Sequence, residues 1–475
     1  MLLRQTLLYL PAQVVGPLAQ FVSVILWTHF LSPAEMGLFA LIVAAQELIY
    51  SGALFWFTIF TMRFFDRSDA DAFLATERVV LVATSCVSAL AMLALPLVIS
   101  TEWSSELAAA SVAYAITRSL GAHLADRARA GHDTVSYSIL QIAWPIAGFL
   151  LALAFVATWE QTAAAVLWGY AAGQLIALAI AAPRLGFGQS FKYSPDIARA
   201  AYNYGWPLVL GATLMWVANN GIRFLLEARE GAEAVGLATV GWGLGLRAAS
   251  FAAMLVTAAA FPLAVLRSRE DGMSAGQHQL VRNGVLLLAV LAPAGAGLWS
   301  ISTPLVDLIV AEPFRAATAE LLPWAILAGV ARNFRMHVVG QVFLLREETR
   351  IALANDAFDA AATMLTAAIG LIWGGVIGCV IGASIGSVIG LAGASVLAAW
   401  HHEFYLPPAD LARIGAATAA MAAAVSAMPA TPTVLSLSAA VALGAAVYAA
   451  ALAALYLDHV QDAARKLRQL ADARG

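Results

Sequence analysis

The sequence is poor in charge. Asp, Glu, Lys and Arg make up 12% of its 475 residues, whereas about 25% is usual in soluble domains. Apolar residues make up 61% of the chain, and its mean hydropathy is +0.81. A soluble globule of this size could not cover its surface with so few charged side chains. The composition therefore excludes the soluble classes and indicates a protein that crosses a membrane many times.

Cysteines, basic clusters and catalytic motifs are scarce as well. The two cysteines, Cys86 and Cys379, both lie in apolar segments, which argues against a disulfide framework and against a paired-cysteine metal site. The 26 basic and 29 acidic residues form no basic block that would suit nucleic acid. The sequence has no nucleotide-binding loop, metal motif or catalytic-triad motif. We therefore expect a transporter without a cofactor, and not an enzyme.

Fourteen apolar segments are long enough to span a bilayer, which takes about 20 residues. The first runs to Phe30 without a cleavage site, so it is interpreted as a span and not as a signal peptide. Pro293, Gly295, Gly297 and Pro304 are expected to break the ninth span into a helix and a short surface piece. The predicted spans are 7–31, 36–62, 79–99, 107–128, 134–158, 163–182, 202–226, 233–264, 284–310, 320–345, 351–373, 376–400, 411–428 and 433–457.

The distribution of arginine and lysine predicts the orientation. With an even number of spans both termini lie on one side. If that side is the cytoplasm, 19 of the 26 basic residues fall in inner segments and only Arg229 and Arg315 in outer loops. A wrong span count would invert every later loop and blur this division. We therefore predict cytoplasmic termini. The short loops leave no room for a catalytic domain, which argues against a membrane-bound polymerase or acyltransferase.

Two loops contain a related motif. Ala34–Leu38 reads Ala-Glu-Met-Gly-Leu after span one, and Ala232–Leu237 reads Ala-Glu-Ala-Val-Gly-Leu after span seven. Six spans separate the two motifs, so the halves have the same orientation and form a parallel repeat. The predicted domains are an N-terminal six-helix lobe at 1–182, a cytoplasmic connector at 183–200, a C-terminal six-helix lobe at 201–400, transmembrane helices 13 and 14 at 401–457, and a cytoplasmic tail at 458–475.

These motifs and one further segment resemble a known superfamily. Ser32–Leu38, Gly231–Leu237 and Pro304–Ala317 resemble turns of the multidrug/oligosaccharidyl-lipid/polysaccharide (MOP) exporters, in particular the polysaccharide transporters or Wzx-type flippases. The resemblance implies an all-α polytopic membrane protein with two pseudo-symmetric six-helix lobes plus two extra helices. It implies a bacterial inner-membrane protein of lipopolysaccharide, O-antigen or other surface polysaccharide biosynthesis. The implied partners are a lipid-linked oligosaccharide, membrane lipid, a polysaccharide polymerase and glycosyltransferases.

Five arginines lie inside predicted spans, where an ionisable group costs roughly 2.5–3.5 kcal/mol and normally faces a bundle interior or a wet cavity. We predict that they form a cationic cavity that binds a phosphate or diphosphate, because the guanidinium fork donates bidentately to such oxygens. The alternative is that each pairs with a carboxylate or a helix end, or extends to the interface. The five are Arg118, Arg223, Arg247, Arg332 and Arg335.

Three carboxylates lie among the same spans. Glu47 and Arg247 both fall roughly 15 Å below the outer face, at nearly equivalent positions of the two halves. Glu47 would therefore couple transport to a proton, act as the counter-ion of Arg247, or be a structural acid capped by its neighbours. Asp356 and Asp359 would bind a cation or pair with Arg335 or Arg350, and we favour pairing.

Other polar and small residues have two interpretations each. Asn219 and Asn220 would contact sugar hydroxyls or pack between helices. Span twelve has a glycine at every fourth position, which predicts close approach of a neighbouring helix. These glycines are Gly374, Gly378, Gly382, Gly386 and Gly390.

Two functions fit this sequence. The first is a flippase that moves a polyprenyl-diphosphate-linked oligosaccharide outward by alternating access, with the tail in an apolar groove beside spans thirteen and fourteen. The second is a cation-coupled drug or metabolite exporter of the same superfamily, which would need a more acidic cavity. Coupling would use H⁺, Na⁺ or the membrane potential.

Overall fold

The computed structural model describes residues 18–65, 70–99, 103–186, 192–429 and 431–457, and every regular element in these ranges is helical. Nine of the helices in these ranges are long and apolar enough to cross a membrane. The start of the first predicted span, the middle of the predicted connector and the predicted tail 458–475 lie outside the described residues.

The helices are numbered in chain order, and two short π-helical turns are named separately. They are α1 (Leu18–Trp27), α2 (Pro33–Ala53), α3 (Phe55–Phe64), α4 (Ala70–Ala94), α5 (Ser105–Ala130), α6 (Thr134–Ser138), the π turn Ile139–Ala143, α7 (Trp144–Thr158), α8 (Ala163–Leu185), α9 (Pro195–Asp271), α10 (Met273–Ser300), α11 (Ser302–Ile309), α12 (Glu312–Phe334), the π turn Arg335–Val339, α13 (Gly340–Leu345), α14 (Thr349–His402), α15 (Pro408–Ser426) and α16 (Val434–Leu455).

Two of the long helices each contain two predicted spans. α9 is 77 residues long and breaks at Gly231, whose φ of 81° suits glycine. α14 is 54 residues long and breaks at Gly374 and Gly375. Both breaks fall between predicted spans. With α1, α5 and α15, which pair with predicted spans one, four and thirteen, the described helices account for fourteen spans. The prediction of an all-α polytopic protein is confirmed.

Span nine is interrupted, but not at its first proline. α10 continues through Pro293 to Ser300, and α11 begins at Ser302. A proline within a membrane helix removes one backbone hydrogen bond, and packing against neighbouring helices compensates for the loss. The break therefore comes after the glycines, at Ile301.

The chain divides into two compact units. The first unit comprises described residues within Met1–Val240 and Ala367–Cys379, and the second comprises those within Gly241–Thr366 and Val380–Gly475. The core of the first unit includes stacked rings of Phe57 and Phe73, 5.7 Å apart. The core of the second includes Leu287, Phe334 and Phe343.

The two repeat motifs pack directly on each other within the first unit. A Cβ on Gly37 would lie 1.8 Å from the carbonyl oxygen of Ala232, and a Cβ on Gly236 would lie 1.8 Å from that of Pro33. Each glycine thus meets a backbone carbonyl of the other motif, four residues before that motif's own glycine. The contact is reciprocal, as expected for elements related by a two-fold repeat, and it requires glycine at both positions.

The glycines of span twelve allow the two segments of α14 to pack closely. Gly370 and Gly378 contact each other's carbonyl groups, since a Cβ on either would come within 2.1 Å of the other's oxygen. A Cβ on Gly386 would lie 2.5 Å from the Cα of Thr363. Helix packing thus accounts for Gly378 and Gly386, whereas a Cβ on Gly374 would meet no atom within 4 Å and this glycine marks the helix break.

Candidate functional site

In the second unit, Arg335 forms a double ion pair with α14. Its Nη1 donates to Asp356 Oδ1 at 2.8 Å, and its Nη2 donates to Asp359 Oδ2 at 3.0 Å. The side chain of Asp359 is 2% exposed and that of Asp356 is 31% exposed. Arg335 begins the π turn, a local widening of the helix that often occurs at functional positions. The two aspartates therefore neutralise the charge of Arg335, for which the sequence left both a ligand and a carboxylate partner open.

Arg332, one turn earlier on α12, has a different environment. Its Nε donates to Ser387 Oγ at 2.9 Å, and its guanidinium carbon lies 5.3 Å from the centre of the Trp242 ring. Only 9% of the residue is exposed. A guanidinium that stacks on an indole has a fixed plane, which suits bidentate binding of an anion.

Gly390 keeps space for the Asp359 carboxylate. A Cβ at this position would lie 2.1 Å from Asp359 Oδ1, so any side chain there would displace the carboxylate. One member of the glycine stripe thus supports the ion pair as well as the packing of α14.

Arg247 lies on the part of α9 that belongs to the second unit. It is half-buried, and its Nη1 would be 2.7 Å from a Cβ on Gly243, one turn earlier. The guanidinium therefore folds back over a glycine of its own helix. A larger residue at Gly243 would push it away.

In the first unit, Glu47, Asn220 and Arg223 form a chain of hydrogen bonds. Arg223 Nη1 donates to Asn220 Oδ1 at 2.7 Å, and Asn220 Nδ2 donates to Glu47 Oε2 at 3.2 Å. Asn220 is buried, whereas Glu47 is exposed. This series of hydrogen bonds links α2 to α9.

Arg118 on α5 is half-buried and interacts electrostatically with Tyr114 and Asp126. Glu47 also interacts electrostatically with Tyr114. The first unit thus brings Arg118, Glu47 and Arg223 into one polar region.

One buried ionic network was missed by the sequence analysis. The Glu77 carboxylate accepts a hydrogen bond from Arg127 Nη1 and forms another with His123 Nε2 at 2.7 Å. The hydroxyl of Thr58 forms a hydrogen bond with the other ring nitrogen, His123 Nδ1, at 2.9 Å. Arg127 Nη2 donates to Leu185 O at 2.8 Å. The loop-charge count treats Arg127 as an inner-loop residue, yet it is 2% exposed. The i,i+4 spacing of His123 and Arg127 in span four was the available signal.

An apolar pocket lies beside α15 and α16 in the second unit. It has a volume of about 460 Å³ and is lined by residues of α10, α15 and α16, including Pro293, Leu298, Met421 and Val441. Tyr448 also lines it and donates a hydrogen bond to Ala289 O at 2.8 Å. The pocket lining is almost entirely apolar, so the pocket suits a hydrocarbon chain.

Solved structures with the same fold are transporters. The chain is similar to the lipid II flippase MurJ in an inward closed conformation, with 13% identity over 96% of this chain and 100% of that chain and a TM-score of 0.75. It is similar to an inward-facing multidrug resistance MATE family transporter of the MOP superfamily, with 15% identity over 85% of this chain and 95% of that chain and a TM-score of 0.60.

A third similar structure is a variant of the Vibrio cholerae MATE transporter VcmN, with 17% identity over 82% of this chain and 94% of that chain and a TM-score of 0.53. Comparison with sequence family models and with curated protein sequences gives no match. The chain therefore has the fold of these flippase and MATE transporter structures, which is the fold that the resemblance of its repeat motifs implied.

Proposed function

We propose that this protein is a Wzx-type flippase that translocates a polyprenyl-diphosphate-linked oligosaccharide across the bacterial inner membrane by alternating access, for surface polysaccharide biosynthesis. The observation that carries the proposal is the burial of arginines within the apolar spans of an exporter fold. Arg332 is 9% exposed between Trp242 and Ser387. Buried guanidinium groups favour a dianionic cargo over a cationic one.

The arginines divide into two roles. Arg247 and Arg332 bind the diphosphate. Arg335, whose charge is balanced by Asp356 and Asp359, has a structural role: its ion pairs hold the π turn Arg335–Val339 against α14. In the first unit, Arg118 and Arg223 supply further positive charge.

The lipid tail occupies the apolar pocket beside α15 and α16. A pocket of about 460 Å³ accommodates part of a polyprenyl chain, and the rest extends into the bilayer. The sugar and diphosphate then cross while the tail remains in hydrocarbon. The similar MurJ structure is itself named a lipid II flippase.

A second candidate function is a cation-coupled drug or metabolite exporter. The exposed Glu47 carboxylate and the partly exposed Asp356 favour it, since either could bind H⁺, Na⁺ or an organic cation. Two of the similar structures are named MATE transporters, and one of these is named a multidrug resistance transporter. In the flippase, Glu47, Asp356 and Asp359 serve instead as counter-ions or as a secondary coupling site.

Substitution of the two proposed phosphate ligands separates these functions. Reconstituted Arg247→Gln/Arg332→Gln protein should lose transport of a fluorescent farnesyl-diphosphate-linked sugar, while the exposed Arg267→Gln variant should transport normally. A cation exporter should tolerate the double substitution or transport an organic cation faster. Undiminished sugar-lipid flipping by the double variant would remove both arginines from the site, and export of an organic cation without any sugar-lipid flipping by the unmodified protein would reverse the assignment.

The cellular partners of this function are a polysaccharide polymerase and glycosyltransferases. They make the lipid-linked substrate on the cytoplasmic face and consume it on the outer face. Genes for such enzymes beside this one would support the proposal.

A further inference from the structure

One face of α9 carries aromatic and polar residues from its inner end to its outer end. Tyr202, Trp206, Trp216, Asn220 and Arg223 are separated by four, ten, four and three residues. At 3.6 residues per turn these positions lie within one stripe. From Tyr202 to Arg223 the stripe is about 30 Å long, close to the hydrocarbon thickness of a bilayer.

At the predicted inner end, three rings form a rigid platform. Tyr202 and Trp206 stack with centroids 5.5 Å apart and planes at 17°, and Trp56 of α3 lies edge-on to Tyr202 at 5.8 Å. Trp56 is fixed because its Nε1 donates to Ala53 O at 2.9 Å. Gly205 lets α9 approach, since a Cβ there would lie 2.2 Å from Trp56 O.

The platform nevertheless remains accessible. Tyr202 is 47% exposed and Trp206 is 41% exposed. Two stacked rings that neighbouring helices hold in place, yet leave half uncovered, present a flat apolar face to a ligand.

Further along the stripe the side chains become polar. Trp216 Nε1 donates to Ala44 O at 2.8 Å, and Asn220 bonds both Arg223 and the exposed Glu47. Carboxylate, amide and guanidinium groups side by side offer acceptors and donors for hydroxyl groups.

This combination suits a sugar more than an organic cation. A pyranose ring has an apolar C–H face that covers an aromatic ring and a rim of hydroxyls that needs both donors and acceptors. An aromatic face also attracts cations, and a carboxylate beside the rings would strengthen that attraction. The carboxylate of the stripe, Glu47, meets Asn220, which lies about 27 Å along α9 from Tyr202, so the rings and the carboxylate are too far apart to bind one small cation together.

A membrane-interface belt does not account for the whole stripe. Belt aromatics lie at the two membrane surfaces, but Trp216 lies about 20 Å along the helix from Tyr202, inside a predicted span. We propose that the seam of α9 with α2 and α3, formed by Trp56, Tyr202, Trp206, Trp216, Asn220 and Glu47, is the glycan-binding track of the transporter. This inference rests on the proposed function and adds the residues that recognise the sugar.

Binding measurements on the full-length protein in lipid nanodiscs test the track. Two probes are compared by calorimetry: farnesyl-diphosphate-linked chitobiose, and farnesyl diphosphate alone. The sugar-bearing probe should bind roughly tenfold more tightly, as one or two ring contacts would give. Tyr202→Ala and Trp206→Ala should each remove most of this difference and leave binding of farnesyl diphosphate unchanged.

Two further variants separate stacking from folding defects. Trp206→Phe keeps an aromatic face and should retain most of the tenfold difference. Trp400→Ala removes an 83% exposed ring at another predicted inner end and should change neither affinity.

Each outcome decides a different question. Equal affinity for the two probes, or a sugar preference that survives Trp206→Ala, overturns the track while the flippase proposal stands. Failure of the unmodified protein to bind either probe overturns both.

Discussion

The five intramembrane arginines have different surroundings, and these suggest different roles. Arg335 lies between two aspartates, Arg332 lies between a hydroxyl and an indole, and Arg247 folds over Gly243. An arginine that already has two carboxylate partners loses them if it binds a phosphate. We therefore expect Arg335 to act mainly on stability and the others on transport.

Arg335→Gln should destabilise the protein, because it removes the guanidinium that forms a hydrogen-bonded ion pair with the buried Asp359 carboxylate. Removal of one partner of a buried ion pair typically costs about 3 kcal/mol or more. Adding Asp359→Asn to this variant should restore most of the lost stability, which thermal unfolding in detergent measures. Asp356→Asn alone should cost less, since Asp356 is 31% exposed. If Arg335→Gln unfolds like the original protein yet cannot transport, Arg335 contacts substrate instead.

Arg247→Ala should abolish export of the lipid-linked glycan without lowering the amount of protein in the membrane. Arg247→Lys should be partly active at best, because lysine keeps the charge but loses the bidentate fork. Surface glycan and protein level, measured in cells that depend on this gene, check both variants. Normal surface glycan with Arg247→Ala would remove Arg247 from the site.

At the scale of elements, glycines decide where helices break and where they touch. Gly231 and Gly375 have positive φ and interrupt α9 and α14 between spans. Both interruptions could be read from the sequence, since glycine is the residue that adopts such a conformation without strain. The two π turns could not be read, because their residues have no distinctive pattern and the turns form within packed helices.

Gly37→Ala and Gly236→Ala should each lower thermal stability, because an added methyl group would meet a backbone carbonyl that cannot move away cheaply. Overpacking of this kind costs typically 1–3 kcal/mol. Gly52→Ala, on the same helix as Gly37, is the matched control, since a methyl group there would meet no neighbouring atom within 4 Å. It should be neutral or slightly stabilising. Equal melting temperatures for all three variants would show that the reciprocal contact between the two motifs does not contribute to stability.

At the scale of the whole molecule, the charge pattern predicts the topology. Reporter fusions at Gly475 should report a cytoplasmic location, and insertions within 229–233 should report an outer one, because 19 basic residues fall in inner segments and two in outer loops. An outer location for the C-terminal fusion would show that the span count or the orientation is wrong.

Transport should depend on the membrane potential. A diphosphate carries about two negative charges outward, and each gains about 2.3 kcal/mol per 100 mV when the interior is negative. In proteoliposomes without a proton or sodium gradient, a potassium–valinomycin potential of this sign should accelerate flipping. A rate that ignores the potential but follows a proton or sodium gradient would make Glu47 the main coupling residue.

The sequence by itself determined the fold class, the number of spans and the repeat. Hydrophobic length and loop charge are properties of local segments in a bilayer, so they can be counted without knowing which helices touch. The tertiary structure alone decided which charges meet. Arg335 reaches aspartates more than twenty residues away, Glu77 reaches Arg127 fifty residues away, and the α9 stripe meets α2 and α3. Partners so distant in sequence are set by helix packing, which no local pattern records.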